Sequence, residues 1–164
     1  MSVIDEFQQA NSKYAADFQK GDLPLPPARK VAVLVCMDAR IDPARALGLE
    51  EGDAHVIRNA GGRASDALRS LIISQQLLGT RTIAVIHHTD CGMLTFSNDD
   101  LYQKLQQEFH ADASAIDFRP FKNLEQSVRD DIAEIKSSPF ILEETTFAGY
   151  IYDVSSGKLL PVNN

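Results

Sequence analysis

Two unbroken apolar runs constrain this chain more than anything else in it. Residues 31–35 read VAVLV, and residues 83–86, within TIAVIHH, read IAVI. Neither run alternates with polar residues, so neither suits a strand with one wet face. Such runs fit strands buried on both faces, the condition of strands inside a parallel sheet. Parallel strands need crossover connections, usually helical. The segment between the runs supplies one. From Ser65 the chain places Leu68, Leu71, Ile72, Leu77 and Leu78 on a helical stripe closed by Gly79,. The expected fold class is therefore α/β, a mainly parallel sheet flanked by helices on both faces.

The remaining elements follow the same reading. Residues 42–49 form a short helix, with Asp42 as N-cap and Pro43 at the first helical position,. A short strand lies around His55–Arg58, followed by the glycine loop RNAGG. Helices are expected over 99–110 and 124–136, with Pro139 stopping the second. The chain then runs FAGYIYDV, SSGK, LLPV, a strand and hairpin with a Ser-Gly turn,.

Residues 3–20 form an amphipathic helix, with Val3, Ile4, Phe7, Tyr14 and Phe18 at helical spacing and Gly21 as its end,. The Pro-rich GDLPLPPAR that follows cannot be helical. The chain thus divides into an N-terminal arm, 1–29, and one α/β core, 30–164. An arm of this kind suits contact with a partner subunit.

Both buried strands end in chemistry. VAVLV runs into CMDAR, and TIAVIH runs into HTDCG. In open α/β sheets the ligand site lies beyond the carboxyl ends of the strands. Cys36, His88 and Cys91 would meet there. Zinc favours thiolate and imidazole donors in tetrahedral geometry. Three protein ligands leave a position for water, the mark of a catalytic zinc site, and the metal makes hydroxide available near neutral pH. The chain holds only two cysteines, so no third one completes a closed structural site. A disulfide between them, or a buried Cys36 acting as a small hydrophobe, are the alternatives.

Asp38 and Arg40 stand two residues apart, so they share a side of an extended segment. The Arg fork would keep the Asp ionised, ready to orient a zinc-bound water. Released by Arg40, the same Asp would become a fourth ligand and shut the site. Asp90 lies inside the H-x-x-C turn, as a ligand-orienting group or a turn former. His87 should face away from its neighbour His88. Gly61, Gly62 and Gly92 are candidate substrate-contacting positions, where a missing Cβ permits close approach.

Composition narrows the partners. The formal net charge is −7 and no Lys/Arg cluster occurs, which argues against nucleic acid and anionic membranes,. The N-terminus lacks the hydrophobic core of a secretory signal, and no apolar run reaches membrane-helix length, so the expected location is cytoplasmic.

These motifs together resemble the β-class carbonic anhydrases: C-x-D-x-R as CMDAR (36–40), then GDAHVIRNAGG (52–62), then H-x-x-C-G as HTDCG (88–92). The resemblance implies one zinc ion per chain on Cys36, His88 and Cys91, with Asp38 and Arg40 as the catalytic dyad. It implies hydration of carbon dioxide to bicarbonate, and a homodimer wrapped by the N-terminal helix, or a tetramer built from it. The chain is short for the family, and residues 93–123 look trimmed. The Gln that many members carry before the first Cys is missing from PLPPARK, and His55 stands at a pocket position usually aromatic. This compact branch also resembles enzymes that hydrolyse carbonyl sulfide, so that linear isostere is the alternative substrate. A zinc or redox module without catalysis is the remaining alternative.

Overall fold

The computed structural model describes residues 2–163 of the chain. Its elements in chain order are α1 (Val3–Ala16), β1 (Val31–Cys36), α2 (Pro43–Leu47), β2 (Ala54–Asn59), α3 (Ala64–Gln76), β3 (Thr82–His88), α4 (Asn98–Phe109), α5 (Leu124–Ser137), β4 (Thr146–Tyr152) and β5 (Leu159–Val162). The five strands form one sheet in the order β2-β1-β3-β4-β5. The first three pairings are parallel and only β4–β5 is antiparallel. The two apolar runs are neighbours at the centre of the sheet, with Val31 opposite Thr82 and Val35 opposite Ile86.

Alternation along the central strands divides the core in two. Ala32, Leu34, Ile83 and Val85 face α3 and α5, packing with Ala67, Leu71, Val128, Ile132 and Ile135. Val33, Val35 and Ile86 face the other way, with Ile41, Cys36, Cys91 and Met93, and with Leu47, Phe96 and Phe121 packed against them. The long packed helices therefore sit on one face, not both. The second face is covered by short α2 and the irregular connections, and this thinner cover leaves room for a site.

Two boundaries differ from expectation. The first helix ends at Ala16 with Asp17 as its C-cap, not at Gly21. An acid at that end opposes the helix dipole. Leu77, expected on the apolar stripe of α3, is 77% exposed, because it is the C-cap and lies past the last buried turn. The N-cap of α1 is Ser2, which forms a capping box with Asp5,. None of the side chains of α1 is buried, and Val3, Ile4, Phe7 and Tyr14 are all exposed. No helix among the described residues is long and apolar enough to cross a membrane.

Candidate metal centre

β1 and β3 deliver the site together. Cys36 is the last residue of β1, His88 the last of β3, and Cys91 follows three residues on. Parallel pairing of these strands brings their carboxyl ends side by side. The Sγ of Cys36, a ring nitrogen of His88 and the Sγ of Cys91 all lie within 4.8 Å of one another, and all three residues are buried. Both cysteines are free thiols, so the disulfide alternative is absent.

The histidine is prepared as a donor. Its Nδ1–H donates to the main-chain oxygen of Thr89 at 2.8 Å. That fixes the tautomer and leaves the lone pair on Nε2. Nε2 is buried without a hydrogen-bond partner. A buried, unpartnered imidazole nitrogen costs stability unless something accepts its lone pair, and a cation among two thiols does so. Thr89 is itself held, donating through Oγ1 to Asp153 at 3.2 Å and through its amide to Tyr152. Asp153 is drawn down to about 2 by the hydroxyls of Ser156 and Ser155 and the amide of Ser155.

The cysteines share a proton. The Cys36 thiol is pushed down to about 4, first by the S–H of Cys91. Burial opposes this, while His88 and the amides of Asp38 and Gly61 assist. Cys91 moves the opposite way because of Cys36 and burial. The site stabilises negative sulfur. Two thiolates and one neutral imidazole are the donor set that zinc selects, so these residues fit the ion.

Asp38 lies at the edge of this cage, its Oδ2 3.7 Å from His88 Nε2. Arg40 donates from Nε to Oδ1 at 3.0 Å and from Nη2 to Oδ2 at 2.8 Å, and its amide adds a third bond to Oδ1. The fork holds Asp38 well below the usual carboxylate range against a smaller cost of burial,. Asp90 does not touch a candidate ligand through its side chain. It pairs with Arg40 from the other side, Oδ2 to Nη1 at 2.7 Å.

A cavity of about 350 Å³ opens on the cage. Cys36, Asp38, His88 and Cys91 line it with Met37, Ala60, Gly61, Gly92, Met93 and Phe96. Gly61 and Gly92 thus sit where a ligand would meet the chain. Gly62 does not: a Cβ there would meet the backbone of Cys36, Val35 and Ile86, so this glycine serves strand packing. His55 also lies elsewhere, lining a separate cavity with Ile57 and Arg69 and bonded through Nδ1 to Ser74 Oγ. The expected pocket position of His55 is therefore not met in the single chain: it does not line the cavity beside the cage. His87 points to the helical face as expected, where it meets Ser127 and Asp131 and stacks on Phe121.

In sequence Arg58 ends the short strand around His55–Arg58 and opens the glycine loop RNAGG, with no further role implied. In the fold it donates to the carbonyls of Cys36 and Asp38 and so fixes the loop that carries both. Its position opposite Val35 on β2 was not legible without strand register. Met93 and Phe96 likewise reach the cavity through the tight turn after Cys91, which residue spacing does not reveal.

Comparison with known proteins agrees with this architecture. Residues 31–159 match the family model described as carbonic anhydrase. The carbonic anhydrase of Streptococcus mutans superposes with a TM-score of 0.95 at 49% identity, covering 99% of each chain. The β-carbonic anhydrase 1 of Mycobacterium bovis is 45% identical over 97% of each chain. A carbon disulfide hydrolase of Saccharolobus solfataricus is 33% identical, covering 95% of this chain and 87% of its own. By family-model match, sequence identity and fold this chain belongs to the β-carbonic anhydrase family, a family of lyases.

Proposed function

We propose that this chain is a zinc-dependent carbonic anhydrase that hydrates carbon dioxide to bicarbonate. One observation carries the reading: a buried, unpartnered His88 Nε2 faces two thiols beside an aspartate that Arg40 keeps ionised. Cys36, His88 and Cys91 would hold one zinc ion per chain. When bound, the ion supplies Lewis-acid activation of water at neutral pH.

The other roles belong to the chain. Asp38, an acceptor-only carboxylate, takes a hydrogen bond from the attacking water and aims its remaining lone pair at the cavity. Arg40 keeps Asp38 in that state. Met37, Met93 and Phe96 give the cavity apolar walls suited to a small linear molecule without charge. Gly61 and Gly92 let that molecule approach the main chain. Each bicarbonate formed takes one water and releases one proton to solvent. Thiolate ligands need a reducing compartment, and the cytoplasm is one.

The functional unit is a homodimer. An amphipathic helix that buries nothing on its own chain is covered by a second copy, and sedimentation at micromolar concentration should give a dimer or a multiple of it. A sharp monomer boundary would remove this part.

The test of catalysis is stopped-flow hydration of carbon dioxide alongside metal analysis. About one zinc per chain and a rate that falls at least roughly 100-fold in Asp38→Ala, with zinc retained, are expected. An unchanged rate in that variant would remove the dyad from the reaction. Hydrolysis of carbonyl sulfide is the second reading, favoured by the apolar walls and by the carbon disulfide hydrolase relative. Sulfide release measured on the same protein decides between the two substrates.

A further inference from the structure

Arg40 is held on two edges by two different residues. Its Nε–Nη2 edge grips Asp38. Its Nη1–Nη2 edge grips Asp90, with Nη1 donating to Oδ2 at 2.7 Å and Nη2 to the main-chain oxygen at 3.0 Å. A guanidinium has five N–H donors in a planar fork. The four bonds use four different donors, since the two hydrogens of Nη2 point to opposite edges. The two carboxylates therefore do not compete. Each fixes the plane that the other uses.

An exposed ion pair alone is worth little, and Asp90 is exposed. Here the geometry adds two things. Asp90 offers side chain and main chain together, which defines an orientation rather than a distance. It also sits between His88 and Cys91 at a φ of 54°, in the turn that carries two of the three candidate metal ligands. Arg40 is thereby referenced to the metal cage itself.

We propose that Asp90 is a positioning residue for the Asp38–Arg40 pair: it clamps the far edge of Arg40 and so keeps Asp38 on the arginine and off the metal. This rests on the reading of Cys36, His88 and Cys91 as a metal cage and of Asp38 as its movable neighbour. Loss of the Asp90 carboxylate lets the guanidinium turn about its own axis. Asp38 then spends more time as a ligand, and fewer sites admit an outside molecule.

The experiment uses the full chain with cobalt(II) in place of zinc, titrated with azide and followed by visible absorption. In D90G, which suits the positive φ, the apparent Kd for azide should rise about three- to tenfold, because it scales inversely with the fraction of open sites. D90N keeps an oxygen for Nη1 and should stay within about twofold of wild type. R40A should weaken azide at least as much as D90G. If R40A weakens binding and D90G titrates like wild type, the role of Asp90 is wrong while the dyad stands. If R40A also titrates like wild type, the underlying reading of Asp38 fails, and this inference with it. Should D90G be recovered without metal, D90A carries the same titration with the same criteria.

Discussion

Arg58 donates from both Nε and Nη2 to the main-chain carbonyl of Cys36, at 3.0 and 2.8 Å. Nη2 also reaches the carbonyl of Asp38 at 2.8 Å. One side chain from the edge strand thus holds both ends of the segment that carries the candidate metal ligand Cys36 and the Asp38 carboxylate. Lys has the charge but not the fork. Arg58→Lys should cost about 1–2 kcal/mol of stability, discounted for exposure, because carbonyls lose charge-assisted partners. Urea unfolding at fixed protein concentration measures this. Zinc should also be lost faster to a chelator. An unchanged midpoint and chelation rate would show that the segment holds itself.

Gly62 makes a sharper prediction. A Cβ there would stand 3.0 Å from Cys36 N, 3.1 Å from Val35 C and 3.2 Å from Ile86 O, all backbone atoms of the central strands. The residue also has a φ of +66°. Gly62→Ala should therefore cost about 2–4 kcal/mol from strain and overpacking combined. Gly48 has a similar φ of +61° with nothing within 4 Å, so Gly48→Ala should cost only about 1 kcal/mol. Thermal or urea midpoints of the pair isolate the packing term. Equal losses would mean that the strands yield.

Much of this was legible because the controlling interactions are local. The apolar runs at 31–35 and 83–86 identify buried strands by composition alone, and their strands end at the candidate cage. Residue spacing in CMDAR also suffices to pair Asp38 with Arg40. What needed coordinates was register and the path of irregular chain. Arg58 finds Cys36 only because β2 lies parallel beside β1, with Val35 opposite Arg58. Asp90 finds Arg40 only because the H-x-x-C turn takes a positive φ. Gly62 read like its neighbour Gly61, yet one faces the cavity and the other faces strand backbone. Periodicity could not show that α3 and α5 share a face, since amphipathic helices look alike from either side of a sheet.

Metal uptake should release protons. In the metal-free protein Cys36 is already ionised at neutral pH, pushed down to about 4 by the Cys91 S–H, while Cys91 keeps its proton. The metal-bound state needs both thiolates. The free state therefore holds more protons, and affinity must rise with pH, by roughly tenfold per unit for each proton released. About one proton should leave at mildly alkaline pH. Burial is the largest single influence on His88 and opposes its protonation, but Cys36, the Thr89 carbonyl and Asp38 together outweigh it and raise that group, so a second proton appears as the pH is lowered. Zinc titration calorimetry in buffers of different ionisation enthalpy counts these protons. A count of zero at mildly alkaline pH would contradict the shared-proton thiol pair.

The arm gives a prediction in which the two readings of α1 diverge in size. Phe7 is 63% exposed on the single chain and α1 buries none of its side chains. If the helix lay only against water, Phe7→Asp would change stability by no more than about 0.5 kcal/mol, as surface substitutions usually do. If a second copy covers it, the change places a charge in an apolar interface. It then costs about 2 kcal/mol or more per subunit and lowers the unfolding midpoint, while the rise of that midpoint with protein concentration expected of an associated wild type weakens as the variant becomes monomeric. Sedimentation should show the variant shifting toward monomer at concentrations where the wild type stays associated. The α/β core should keep its fold, because Phe7 belongs to neither core cluster, and circular dichroism should be unaltered below the transition. A Phe7→Asp protein that sediments and melts like the wild type would leave the exposed apolar face of α1 without its proposed partner.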